Sequence, residues 1–334
     1  MAAREPEVTA RFQRALADQV CRCELCPRHC VIKPGQFGFC LHRRNENGRL
    51  LAAQYGRVAA LAVDPIEKKP LFHFHPGTSI ASVGAIGCNL ACKFCQNWHL
   101  STGEASTKYV SPQELAAQAG MGGSIGLAFT YNEPMIWFEY ILDTAAMLRP
   151  KGHAVVLVTN GYLEAEPFAE LTQWVDAMNV DLKGDEEFYR RVAGGKMAPV
   201  RRNIETAVRA GVHVEVTNLL VTGANESPAA VAEVVDWLAS VSPKIPLHFS
   251  RYFPNHRFDA PPTPVRALEE AATIAKKKLE FVYVGNVQLP GASDTRCPQC
   301  GATAIKRLGY SVEVVGLTDA GTCASCGRDL AMVV

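Results

Sequence analysis

The stretch Gly87–Asn97, GCNLACKFCQN, sets Cys88, Cys92 and Cys95 in the spacing C-x3-C-x2-C and constrains the chain more than any other segment. Three soft thiolates this close can hold three irons of a cubic [4Fe-4S] cluster and leave the fourth iron without a protein ligand. A cluster that only carries electrons is normally closed by a fourth cysteine. An open iron can instead chelate a small molecule through an amine and a carboxylate. The competing reading is a zinc knuckle or unrelated cysteines, and the surrounding chain has to decide between them.

Two other groups of cysteines flank this one. Near the N-terminus, Cys23, Cys26, Cys30 and Cys40 form C-x2-C-x3-C-x9-C on a loop rich in Gly and Pro. Four thiolates suit either zinc or an auxiliary [4Fe-4S] cluster, and their number alone does not choose. His29 and His42 could replace one ligand, or be ordinary loop histidines. Near the C-terminus, Cys297, Cys300, Cys323 and Cys326 form C-x2-C-x22-C-x2-C, with Gly301 and Gly327 after the two pairs. That pattern reads as a zinc ribbon, with iron as the rival occupant. Bound metal would supply folding energy to a segment too short for its own core.

Twelve cysteines in three groups, with Cys21 left over, argue for metal ligation in a reducing compartment and against disulfides. No apolar run approaches a span of ~20 residues, and the first residues carry acids without an apolar signal core. A cytoplasmic protein is expected. Lys and Arg number 34 against 33 Asp and Glu, which speaks against an electrostatic binder of nucleic acid or membrane and for a small-molecule or protein substrate.

Between the flanking groups, short β-branched runs alternate with longer helical stretches. Strands are predicted at 79–86, 124–131, 154–160, 177–183, 213–221, 246–253 and 280–287, and a short helix at 8–20. Repeated strand–helix units make a partial to complete TIM-like (β/α) barrel, an α/β fold. The predicted organisation is an N-terminal Cys-rich module (1–78), the barrel (79–290) and a zinc-ribbon module (291–334).

In such barrels chemistry collects at the carboxyl ends of the strands. The cysteine loop follows the first strand, TYNEP ends the second, TNG the third and DLKG the fourth. Four polar strand ends point to one shared pocket. Each has an ordinary reading too: Asn160-Gly161 makes a good turn, and Asp181 could cap a helix. Glu215, Thr217, Asn218, His248, Ser250 and Arg251 are further candidates on the next two strands, although His248 also fits a satisfied core histidine. Lys68, Lys69, His73 and His75 precede the first strand and read as a solvated turn and one face of an extended segment.

GCNLACKFCQN, TYNEP, TNG and NVDLKG together resemble the radical S-adenosylmethionine (radical SAM) enzymes related to the pyruvate formate-lyase activating enzyme. With CELCPRHCVIKPGQFGFC, DPIEKKPLFHFHPGT and the terminal ribbon, the chain from about residue 21 onward resembles the AmmeMemoRadiSam system radical SAM enzymes. The resemblance implies an oxidoreductase-like enzyme that reductively cleaves S-adenosylmethionine at the Cys88–Cys95 cluster to a 5'-deoxyadenosyl radical, which abstracts hydrogen from a substrate. A glycyl-radical-enzyme activase is the alternative, and a non-catalytic iron-sulfur or zinc protein a further one. By position, Asn132 and Glu133 in TYNEP, Thr159 and Asn160 in TNG, and Asp181 and Lys183 in DLKG would contact S-adenosylmethionine. TYNEP lacks the glycines of the family's Gly-Gly-Glu motif. The resemblance also implies an electron donor such as flavodoxin or ferredoxin, and AMMECR-type and Memo-type proteins as partners.

Overall fold

In the computed structural model, which describes residues 5–334, the apolar runs become one eight-stranded sheet. Its strands are β1 (Ala60–Pro65), β2 (Ser79–Gly84), β3 (Gly126–Phe129), β4 (Ala154–Thr159), β5 (Ala177–Asp181), β6 (His213–Leu220), β7 (Leu247–Arg251) and β8 (Val282–Gly285). Strands β2 to β8 are parallel and lie side by side in chain order. All seven predicted strands are among them. Strand β1 adds an antiparallel edge on β2, pairing Ala60 with Gly84 and Pro65 with Ser79. The two edge strands do not pair with each other, so the barrel is partial and open.

Parallel neighbours require crossovers, supplied by α1 (Pro112–Ala117), α2 (Phe138–Leu148), α3 (Ala165–Leu171), α4 (Met197–Arg209), α5 (Pro228–Val241) and α6 (Val265–Ala275). Helix α1 starts in a capping box, Ser111 with Glu114, and α5 starts at Ser227, whose hydroxyl accepts from the Ala230 amide at 3.2 Å. In α4, Val200, Ile204 and Ala207 fall on one helical face and are fully buried. Strands covered on both faces explain the near-continuous apolar character of β3 and β4.

The segment Phe72–Phe74 closes the barrel at the amino ends of the strands. Phe72 meets the His248 ring edge-on at 4.7 Å, and Glu215 accepts hydrogen bonds from the His73 amide (2.7 Å) and the rings of His248 (2.6 Å) and His213 (3.1 Å). Burial alone would raise the Glu215 carboxyl, but these bonds hold it well below the usual carboxylate range. Burial pushes His73 down to about 3, so it is neutral, bonding the Tyr283 hydroxyl at 2.6 Å and the Leu330 carbonyl at 2.9 Å.

The helix predicted at 8–20 does not form. Gln13–Ala15 pairs instead with Cys21–Cys23, which pairs with Val31–Ile32, and Phe12, Asp18 and Gln19 have positive φ. Tertiary docking overrides the local pattern: the Arg11 amide donates to Glu139 on α2 at 2.8 Å, and Phe12 packs edge-on to Phe138 at 5.2 Å. The buried Arg43–Glu139 pair (3.1 Å) fixes the same module to α2. At the other end, strands Thr295–Arg296, Thr303–Leu308 and Ser311–Val314 form the ribbon, whose Ile305 and Leu330 pack on Phe72, Phe281 and Tyr283. Among the described residues, no helix is long and apolar enough to cross a membrane.

Candidate active site

The loop after β2 is held from both sides. Gly87 has φ +85°, and a Cβ there would lie 2.1 Å from the Cys40 carbonyl oxygen, so only glycine fits. The Asn132 side chain, from the end of β3, accepts from the Ala85 amide (3.1 Å) and donates to the Gly87 carbonyl (3.0 Å). Beyond it the chain turns the three thiols toward one wall. Cys88 Sγ accepts from the Leu90 amide at 3.4 Å, Cys95 Sγ lies 3.2 Å from the Ser101 hydroxyl, and Ala91 is tied to the Ala193 carbonyl at 2.8 Å. Phe94 is buried against Phe188.

The strand ends meet this loop around a cavity of ≈ 580 Å³. Cys88, Cys92 and Cys95 line it together with Asn132, Glu133, Thr159, Asn160, Asp181 and Lys183. Every motif residue singled out for the barrel mouth is therefore in one place. Glu133 accepts from the Thr159 hydroxyl (2.7 Å), the Asn160 amide (2.7 Å) and the Met135 amide (2.9 Å). Burial raises its carboxyl to about 7 against the pull of those donors. The Asn160 side-chain amide donates to Asn89 Oδ1 at 2.9 Å and lies 3.7 Å from Cys88 Sγ. Lys183 pairs with Asp181 at 2.8 Å. Burial opposes the Lys183 charge, yet Asp181 keeps its pKa above the ordinary lysine value.

The donor set fits an open-sided iron-sulfur cluster. Burial pushes the Cys88 thiol well above its ordinary value and Cys92 up to about 11, so neither is a thiolate at neutral pH unless a metal binds it. Among the described residues, the cavity has no fourth cysteine in its lining. Its other walls offer a buried carboxyl, amides and an ammonium, groups that suit a ligand bearing an amine, a carboxylate and hydroxyls.

Candidates from the later strands divide. Thr217 and Ser250 line the cavity. Glu215 and His248 do not: both are consumed in the buried network at the barrel's opposite end, and the core-histidine reading of His248 holds. Asn218 donates to the Leu182 carbonyl at 2.6 Å, and Arg251 to the Thr263 carbonyl at 2.8 Å.

Cys23, Cys26, Cys30 and Cys40 surround a separate small void. His29 faces Glu164 at 3.0 Å and His42 the Ile86 carbonyl at 2.7 Å, and neither lines that void. Cys21 is buried in the apolar core. Cys297, Cys300, Cys323 and Cys326 converge with their sulfurs within 4.8 Å of one another, as a single tetrahedral ion requires.

Lys68, Lys69 and Tyr131 also line the cavity, and the sequence had not marked them as site residues. Lys69, only 2 % exposed, pairs with Asp64 at 2.7 Å, as does Lys68. Tyr131, at φ +74°, donates its hydroxyl to Asp64 at 2.7 Å and lies under the Lys69 ammonium at 4.8 Å. The Lys-Lys pair beside a strand was the available signal.

Residues 83–238 match the model of the radical SAM superfamily. An uncharacterized protein of Methanocaldococcus jannaschii is 40% identical over 332 residues, covering 97% of this chain and 99% of that one. A 7-carboxy-7-deazaguanine synthase of Bacteroides thetaiotaomicron is 30% identical over 102 residues, 30% of this chain and 50% of that protein. Among solved structures, SuiB of Streptococcus suis bound to S-adenosylmethionine has a TM-score of 0.50 at 14% identity, covering 61% of this chain and 49% of that one, and so shares the fold.

Proposed function

We propose, from the radical SAM superfamily domain matched over residues 83–238, that Cys88, Cys92 and Cys95 hold a [4Fe-4S] cluster whose open iron would take the amine and carboxylate of S-adenosylmethionine. A reduced cluster held there would supply the electron that splits S-adenosylmethionine into methionine and a 5'-deoxyadenosyl radical, which would take hydrogen from a substrate. The observation that carries the reading is the single cavity shared by the three cysteines and the polar ends of β3, β4 and β5.

The chain's own residues bind and orient. Lys183, held charged by Asp181, offers an ammonium to the carboxylate or ribose. Glu133 fixes Thr159 and the Asn160 backbone, and its carboxyl faces the cavity that the methionyl amine would enter. Asn160 sets an amide beside Cys88 and so positions the cluster's ligand. Phe94 and Leu219 contribute apolar wall that excludes water from a reactive site.

On its motifs the chain is an AmmeMemoRadiSam enzyme, with a flavodoxin or ferredoxin as electron donor, AMMECR-type and Memo-type proteins as partners, and the reducing cytoplasm as its compartment. The ribbon at Cys297–Cys326 holds structural zinc in this reading, supported by its sulfur spacing.

The test is anaerobic reconstitution with iron and sulfide, followed by S-adenosylmethionine and a strong reductant. Release of 5'-deoxyadenosine is expected, with none from Cys92→Ala. Intact clusters without product above that control would refute the enzyme.

A further inference from the structure

We propose that Cys23, Cys26, Cys30 and Cys40 hold a second, fully ligated [4Fe-4S] cluster, not zinc, set beside the first cluster as a one-electron relay. Its role as a relay rests on the function proposed above; its occupant does not.

The molecule contains its own standard for a single-ion site. In the ribbon, Cys297 and Cys326 sulfurs are 3.6 Å apart and those of Cys300 and Cys323 are 3.7 Å apart. Metal–sulfur bonds of about 2.3 Å in a tetrahedron set sulfurs about 3.8 Å apart. Among the described residues, that is the only group of three or more metal-binding side chains whose ligand atoms all lie within 4.8 Å of one another. Cys23, Cys26, Cys30 and Cys40 line one void with Leu25, Gly38 and Ile136, yet no three of their sulfurs all lie within 4.8 Å of one another. Nor do the sulfurs of Cys88, Cys92 and Cys95 all lie within that distance of one another. A cube of four irons presents its thiolates at outer corners, farther apart than the ligands of one ion. The ribbon is also built from two C-x2-C pairs, whereas the N-terminal set has one, with nine residues between Cys30 and Cys40.

Arg43 gives an independent sign of what fills the void. Its side chain lines the void and is 1% exposed, and its Nε–H has no partner. Its charge is close enough to Cys23, Cys26 and Cys40 to act on all three, while Nη2 reaches Glu139 at 3.1 Å. An orphaned, buried N–H donor at a ring of thiols is satisfied by the sulfurs of an anionic cluster.

The placement supplies the role. Four cysteines leave no open iron, and the void shares no lining residue with the cavity at the strand ends, so it is not a second substrate site. It is instead clamped to the first cluster's loop. The Cys40 carbonyl lies against Gly87, the His42 ring bonds the Ile86 carbonyl at 2.7 Å, and Arg28 bonds the carbonyls of Asn89 and, at 2.7 Å, Gly194. One electron from a reduced flavodoxin or ferredoxin enters the second cluster and passes to the first, with no bond made or broken.

The test uses the full chain, reconstituted anaerobically, with iron, sulfide and zinc measured per chain and electron paramagnetic resonance recorded after reduction. Two cubes predict about eight irons and one zinc in the wild type, and about four irons with the zinc kept in Cys26→Ser. Adjacent reduced clusters predict split or broadened resonances in the wild type that collapse to a simple signal in Cys26→Ser and in Cys92→Ala. About four irons and two zincs in the wild type, with one zinc lost in Cys26→Ser, would overturn the occupant. Additive, unbroadened spectra would overturn the relay. Because Cys26→Ser keeps the first cluster and its response to S-adenosylmethionine, failure here is distinct from failure of the proposed enzyme, which Cys92→Ala reports.

Discussion

Replacing Gly87 by alanine tests whether the two cysteine loops are locked together. Two costs add at this position. The first is conformational: φ is +85°, and a residue with a Cβ held in the left-handed region costs about 1–2 kcal/mol. The second is contact: the new Cβ would sit 2.1 Å from the Cys40 carbonyl oxygen and must move to 3.0 Å or beyond. Because the obstacle is backbone, no rotamer change relieves it. The N-terminal loop has to lift off, stretching the His42–Ile86 bond, and overpacking of this kind costs about 1–3 kcal/mol. The sum is about 2–5 kcal/mol. Gly223→Ala is the control, since Gly223 has φ +72° with nothing within 4 Å of its Cβ position and carries only the first cost. Loss of unfolded-state entropy affects both variants alike and cancels. Urea unfolding of the cluster-loaded protein, followed by circular dichroism, should show a clearly larger fall in midpoint for Gly87→Ala, with iron lost on gel filtration. Equal midpoints and equal iron would refute the idea that Cys40 and Gly87 are in obligatory contact.

Three further outcomes follow from the same geometry. Glu133, raised to about 7 by burial, binds its proton more tightly in the folded than in the unfolded chain. Its contribution to the folding stability of the cluster-free protein should therefore be fully present below pH 4.5 and lost, by about 3 kcal/mol, as pH rises to about 7, so that the difference in stability between the wild type and Glu133→Gln changes by that amount in denaturant titrations across the window. Asn160→Ala removes the amide beside Cys88 and should slow 5'-deoxyadenosine release by about 10–100-fold while iron content stays constant. Stripping the ribbon's metal with a chelator, or Cys300→Ser, should open residues 295–330 to protease while the barrel stays intact, as peptide mapping would show.

The parts of the fold that were legible in the sequence are those settled by neighbours along the chain. Seven parallel strands declare themselves as short apolar runs such as AVVLVT in β4, because both faces of each are buried. The motif residues were legible for a related reason, since a strand's carboxyl end is a position along the chain. Depth inside the barrel is not. Glu215 and Thr217 point to the same side of β6, two residues apart, yet Thr217 lines the cavity and Glu215 belongs to the network at the base. Nothing local separates them. What separates them is Phe72–Phe74, a segment some 140 residues earlier that brings the His73 amide to Glu215.

The same distinction governs the errors at the N-terminus and around Lys69. Residues 8–20 have helical spacing, but the acceptor for the Arg11 amide is Glu139, and long-range docking outweighs a marginal short helix. Lys68-Lys69 reads as solvated because burying an ammonium is costly unless a partner is present, and the partner, Asp64, is itself fixed by Tyr131 from the end of β3. Cysteine spacing behaves likewise. It announces that a metal binds, since soft ligands rarely cluster in a reducing compartment for any other purpose. Which metal is a question of how the sulfurs are placed, and tertiary contacts set that placement: Ile305 and Leu330 pack with Cys297 and Cys323 of the ribbon, while Cys23, Cys26, Cys30 and Cys40 share their void with Arg43 and Ile136. On the proposal made above, two sets of four cysteines would differ in chemistry without differing in residue type.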